Sequence, residues 1–177
     1  MEKHKSCSFF GHRDIIITDK LKQKVNDTIE NLIVNDNVRV FLFGSRSNFN
    51  SLCHAVVTQL QDKYPYIKRI VFTCKSEACI LESEKQNLEK DLSLLQKQKI
   101  SLLAFEEEFE HKTKYISGKA SYIERNQAMV CHSDYCVFYY DSSYQPKLKK
   151  NDYQPKSGTA IIYAYAQQKK KNIVNLF

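Results

Sequence analysis

"VRVFLFGSRSNFNSLCHAVVTQL" (38–60) decides how the chain is read. A nearly unbroken apolar run ends in a glycine, a short polar stretch follows, and apolar positions then recur at helical spacing. The run lacks the polar alternation of a half-exposed strand, as expected when both faces of a parallel sheet are covered. Beyond the glycine, Leu52, Val56 and Leu60, with Cys53 and Val57 alongside, form one stripe of a helix. Strand, glycine loop and helix together make the repeating unit of an α/β protein.

Working outward, the same unit occurs on the N-terminal side. "CSFFGHRD" (7–14) is a short apolar run closed by a glycine, and Leu21, Val25, Ile29, Leu32 and Ile33 mark the helix after it. On the C-terminal side, "RIVFTC" (69–74), "YCVFYY" (135–140) and "NIVNLF" (172–177) read as further buried strands. Ala120, Ile123, Val130 and Cys131 give a third helical stripe. "GTAIIYAYAQQ" (158–168) gives a fourth, apolar on most sides and therefore expected to be well buried. Alternating strands and helices predict an α/β fold with a doubly wound, mostly parallel Rossmann-like sheet, in the order β-α-β-α-β-(α)-α-β-α-β.

One domain is expected over 1–177, interrupted by a variable helical insertion at about 77–100. Leu81, Leu88, Leu92 and Leu95 fit one stripe of that helix, which reads as a lid, a dimer contact or a decorated surface helix. "FEEEFEHK" (105–112) reads as an exposed acidic loop or helix start. The stretch 142–156, with two prolines and several lysines, reads as a mobile loop between strand and helix.

Composition narrows the function classes. An apolar fraction of 42% excludes a disordered chain. No stretch approaches the roughly 18 uninterrupted apolar residues of a membrane span, and no secretory signal is recognisable. A cytoplasmic protein without a membrane partner is expected. The cysteine spacings Cys74-x4-Cys79 and Cys131-x4-Cys136 are not those of zinc knuckles, so buried reduced thiols are expected, with no metal and no cofactor. A formal charge of +7 favours anionic partners, although much of it sits in "KLKK" (147–150) and "KKK" (169–171), which also suit a solvated surface.

The chain has only four glycines, and each stands at an element boundary: Gly11, Gly44, Gly118 and Gly158. In open α/β sheets, ligands bind beyond the carboxyl ends of the strands, close to helix N-termini whose free amides suit phosphate. Arg13 and Arg46 could fork onto a phosphate or carboxylate. Ser45, Ser47, Ser157 and Thr159 supply hydroxyls, and His12 could hydrogen-bond a ribose or stack on a base. Helix capping by Ser47, Asn48 and Ser157 is the structural alternative. Tyr122, Arg125 and Asn126 can share one helix face and grip a base and a phosphate; core packing and a surface ion pair are the alternatives.

These segments, in this order, resemble the SLOG superfamily of Rossmann-like proteins, named for the Smf/DprA DNA-processing proteins and the LOG cytokinin-activating enzymes. The likeness is to the small YpsA-like bacterial and phage branch. It rests on "CSFFGHRD", "FGSRSNFNSLCHAVV", "SGKASYIERNQAMVCHSDYCVFYYD" and "KSGTAIIYAYAQQKKKNIVNL". The resemblance implies a pocket for a nucleotide or nucleotide-derived ligand. Gly11, His12 and Arg13 would line its first loop, and Gly44, Ser45 and Arg46 its second. Gly118, Lys119, Tyr122, Arg125 and Asn126 would form a third wall, with Ser157, Gly158 and Thr159 as the phosphate-binding loop.

LOG enzymes cleave a base–ribose bond with a glutamate after their Gly-Thr, and Ile162 stands at that position here. Isoleucine can neither stabilise an oxocarbenium ion nor activate water. A ligand sensor or sequestering module is therefore expected rather than an enzyme. The alternatives are single-stranded nucleic-acid binding, as in Smf/DprA relatives, and a nucleotide N-glycosidase using Glu124 or Asp141. A homo-oligomer is compatible with the leucine stripe at 81–95.

Overall fold

The computed structural model describes residues 4–44, 47–74, 107–111, 119–145 and 157–177, the short segment 107–111 by its backbone alone. Six strands are described: β1 (Lys5–Gly11), β2 (Val38–Phe43), β3 (Lys68–Cys74), β4 (Glu107–His111), β5 (Tyr135–Tyr139) and β6 (Asn172–Asn175). Four helices join them: α1 (Asp19–Val34), α2 (Asn48–Lys63), α3 (Lys119–Cys131) and α4 (Gly158–Gln168). The strands form one sheet in the order β4-β3-β2-β1-β5-β6, and every neighbouring pair is parallel.

The continuous apolar runs follow from helices on both faces. Phe9, Phe41, Phe43 and Val137 turn to one face and pack with α1 and α2. Phe10, Leu42, Phe72 and Phe138 turn to the other and pack with α3 and α4. Alternate side chains of a strand point to opposite faces, so each strand feeds both cores. Phe9 stacks between Phe41 and Phe43, with ring centroids 6.0 and 5.2 Å away. Burial of each such ring contributes roughly 1.5–3 kcal/mol.

The predicted α1 stripe is the observed one: Leu21, Val25, Ile29, Leu32 and Ile33 are all buried, and Thr18 caps the helix by accepting from the Leu21 amide. In α2 the buried face also takes Phe49, Asn50 and His54, while Leu52 is only half-buried. Three expectations need correction. "FEEEFEHK" contributes an edge strand, β4, which pairs with β3 from Ile70↔Glu107 to Cys74↔His111. In α3, Val130 is buried and Ile123 half-buried as expected, but Ala120 and Cys131 are exposed and the buried face also takes Ser121, Arg125 and Met129. In α4, only Ile162 and Ala166 are buried; the remaining apolar residues are partly open, because the helix packs near the edge strand β6. The expected insertion at 77–100 and most of the loop 142–156 lie outside the described residues.

Cys7, Cys53, Cys74 and Cys136 are free buried thiols and Cys131 is free and exposed. Burial pushes the Cys7 and Cys53 thiols well above their ordinary range and Cys136 up to about 11, so these three are poor nucleophiles and poor metal ligands. No helix among the described residues is long and apolar enough to cross a membrane.

Candidate functional site

The sheet order creates a topological switch point. From β1 the chain moves to β2, β3 and β4 on one side, and β5 and β6 later fill the other. Loops leaving β1 and β5 therefore part toward opposite faces, and the crevice between them is the usual ligand position in open α/β sheets.

His12, the first residue after β1, stands in this crevice and is 2% exposed. Its Nε2 accepts a hydrogen bond from the Asp141 amide, 3.0 Å away, just after β5. An N–H donor can only be received by an unprotonated ring nitrogen, so the proton of neutral His12 sits on Nδ1. That Nδ1 is buried and has no partner among the described residues. Burial holds His12 below the ordinary histidine pKa, with the Asp141 carboxylate pulling weakly the other way. One face of the ring is covered by Tyr144, stacked at 4.0 Å and 18°. Tyr140 lies 5.9 Å away and itself packs on Tyr163 in the second turn of α4, at 4.5 Å. Stacking of His12 on a ligand base, as the sequence allowed, is thus already imitated by Tyr144 on that face.

Asp141 builds the turn that carries Tyr144. Its Oδ1 accepts from the Ser143 amide at 2.8 Å and the Ser143 hydroxyl at 2.6 Å, which hold the carboxyl below its usual range. A carboxylate engaged in this way is a turn-former, poorly placed to transfer protons. The other candidate carboxylate, Glu124, is half-buried on α3.

Asn48, at the start of α2, fixes the His12 loop on its other side. Its amide donates to the Arg13 carbonyl, its Oδ1 accepts from the Ile15 amide at 3.1 Å, and its Nδ2 donates to the Ile15 carbonyl at 2.7 Å. Ser47 caps the helix through the Asn50 amide. The Arg13 side chain is exposed.

Gly11 and Gly44 have packing roles. A Cβ on Gly11 would lie 2.7 Å from Phe49 side-chain atoms, and one on Gly44 would meet the Phe72 carbonyl at 2.7 Å and Met129 Sδ at 2.9 Å. Gly44 thereby admits α3 close to the ends of β2 and β3. Arg125 lies there too, 3% exposed, its Nε on Asn126 Oδ1 at 3.1 Å and its guanidinium 5.4 Å from the Tyr122 ring. Ser121 reaches Cys74 at the end of β3. Since β1 and β2 adjoin, the Arg125 group and the His12 group share one edge of the sheet. Lys119 opens α3 and is half-buried.

Gly158 differs from Gly11 and Gly44: among the described residues nothing lies within 4 Å of its would-be Cβ. Ser157 accepts from the Ala160 amide at 3.0 Å and caps α4. The amides of Gly158 and Thr159, in the first turn, have no acceptor within the helix. The Gly158 position is open, and the helix dipole there favours an anion.

Ser45, Arg46 and Gly118 lie outside the described residues. Sequence reasoning overlooked Asn48 as the clamp on the His12 loop, and also Tyr140, Tyr144 and Tyr163; the Asp-Ser-Ser-Tyr run after β5 was the readable turn signal for Tyr144. Ile162 is fully buried among apolar side chains, so the position of the LOG glutamate is core here. The family model described as the YspA SLOG family matches residues 3–175. No curated protein matches the chain.

Proposed function

The chain belongs to the YspA SLOG family, and from that premise we propose that it binds a nucleotide-derived small molecule at the carboxyl edge of the sheet, as a sensor or sequestering module. One observation carries the reading. Four buried side-chain polar atoms lack a hydrogen-bond partner among the described residues, and three of them belong to that edge: His12 Nδ1 after β1, Asn50 Oδ1 in the first turn of α2, and Thr73 Oγ1 near the end of β3. Buried polar groups are normally satisfied, so a run of orphans along three neighbouring strand ends suits a ligand bearing both donors and acceptors. A nucleoside has both.

The phosphate falls to the α4 N-terminus, with the Gly158 and Thr159 amides as donors and Ser157 holding the helix end. Arg13, exposed nearby in sequence to His12, and Arg46 neutralise its charge. Gly11, Gly44 and Gly118 set the loops, while Lys119, Tyr122, Arg125 and Asn126 form the wall on the α3 side. The N-glycosidase reading has little support, since Ile162 replaces the expected carboxylate and Asp141 is committed to its turn.

Isothermal titration with nucleoside mono- and diphosphates tests the proposal, alongside native mass spectrometry of gently purified protein for a copurified ligand. Binding with little dependence on salt, lost in Gly158→Val at unchanged melting temperature, is expected. Affinity that grows with oligonucleotide length and falls steeply with salt would favour the nucleic-acid alternative instead.

A further inference from the structure

The fourth orphaned atom, Arg39 Nη1, lies at the opposite end of the sheet. We propose that the amino edge carries a second site, which takes a phosphate joined to a planar ring, the chemistry of a nucleotide unit. This inference is independent of the carboxyl-edge reading.

A groove of about 560 Å³ opens there, lined by His4, Arg39, Val40, Tyr66 and Lys68, with no carboxylate among them. That volume lies within the range of small-molecule sites. Arg39, at the start of β2, is half-buried and makes no ion pair among the described residues. Its Nε donates to Asn37 Oδ1 at 2.9 Å, and its guanidinium carbon sits 3.9 Å from the Tyr66 ring centroid. The fork is thus held in one orientation, with no carboxylate among the described residues paired to it. Withdrawing a cation from water without a counter-charge is unfavourable, and a guanidinium fork matches phosphate oxygens. Tyr66 is 51% exposed, which leaves ring surface for a base to stack on.

The surroundings extend the pattern. Lys68 opens β3, Lys5 opens β1, and Lys171 immediately precedes β6, so the sheet order sets these cations and Arg39 along one edge. Lys5 Nζ stands 5.6 Å over the Tyr135 ring, a second pairing of cation and aromatic. Two of the aspartates at this edge have partners, Asp36 accepting from the Tyr135 hydroxyl and Asp134 from the Ser6 amide and hydroxyl; Asp62, in the last turn of α2, lies at the same edge. Cations beside the exposed Tyr66 ring and the half-buried Tyr135 ring suit a base joined to a phosphate.

The test follows amide and arginine Nε resonances by NMR during titration with adenosine 5′-monophosphate and, separately, with a short oligothymidylate. The probes are added to wild type, Arg39→Ala, Arg39→Lys, Tyr66→Ala and the carboxyl-edge variant Gly158→Val. Shifts at Arg39 Nε and Tyr66 are expected in wild type and in Gly158→Val. Affinity at this edge should fall by roughly fivefold or more in Tyr66→Ala, the value of one lost stack, and further in Arg39→Ala, with Arg39→Lys between. Equal response to both probes would identify a free nucleotide as the source, and a response that is steeper with length and salt would identify a strand. No shift at Arg39 in wild type, or wild-type affinity in both Arg39→Ala and Tyr66→Ala, overturns the second site. Loss of all binding in Gly158→Val alone would overturn it as well, while leaving the carboxyl-edge reading intact.

Discussion

The glycines offer the sharpest test, because they divide by what surrounds them. A Cβ on Gly158 meets no described residue within 4 Å, so Gly158→Ala introduces no clash with them. It also removes backbone freedom from the unfolded chain, which stabilises by about 0.4–1 kcal/mol where the conformation is compatible. For a domain of this size each kcal/mol moves the melting temperature by roughly 2–4 °C, so Gly158→Ala should melt at or a few degrees above wild type. Gly11→Ala should behave oppositely. Its Cβ would sit 2.7 Å from Cβ and Cδ1 of Phe49, a fully buried residue in the first turn of α2. Overpacking of this kind costs about 1–3 kcal/mol, or roughly 2–12 °C on the same scale. Thermal melts of the three proteins read stability, and calorimetric titration with nucleotides reads binding. Gly158→Ala should weaken nucleotide binding, and Gly158→Val should abolish it, while the fold is kept. A marked drop in melting temperature for Gly158→Ala, or an unchanged one for Gly11→Ala, would refute the packing argument. Wild-type binding by Gly158→Val would refute the phosphate role of α4.

Other outcomes follow from the same geometry. Ser157→Ala, which removes the α4 cap, should cost about 1 kcal/mol in urea denaturation. Asn48→Ala loses two side-chain bonds to Ile15, at about 0.5–1.5 kcal/mol each, and hydrogen exchange should show a less protected Ile15 amide. Burial makes His12 titrate in the folded state below the ordinary histidine value of about 6.5. The unfolded chain then binds more protons between the folded and unfolded pKa values, so His12 contributes stability above pH 6.5 that is lost as pH falls through its folded pKa. The slope of melting temperature against pH on the acid side of 6.5 should therefore be shallower in His12→Gln than in wild type. Ile162→Glu, which restores the carboxylate of LOG enzymes, should unfold the protein rather than create a hydrolase, because it places a charge in a fully buried position.

Much of the sheet was legible because β1, β2, β3 and β5 carry apolar runs and α1 a clean stripe; β6, expected to be buried, ends the described strand order with Asn172 and Asn175 exposed and Ile173 and Val174 half-buried. β4 was not legible, since "EEFEH" has the composition of a solvated loop and becomes a strand only through pairing with β3. The α3 stripe misled for a related reason: Arg125 and Ser121 are buried against strand ends that only tertiary structure assembles. At the candidate site, the described glycines stand at the carboxyl edge of the sheet, yet Gly11 and Gly44 accommodate Phe49 and Met129, which no spacing rule reveals. The bond between His12 and the Asp141 amide joins residues 129 positions apart, beyond any local pattern.

The glutamates of β4 acquire a meaning once that segment is seen at the rim of the sheet. Among the described residues β4 is a border strand, and a border strand invites another chain to add itself. A segment with three glutamates in five residues is a poor partner for a second copy of itself, because like charges on paired strands repel.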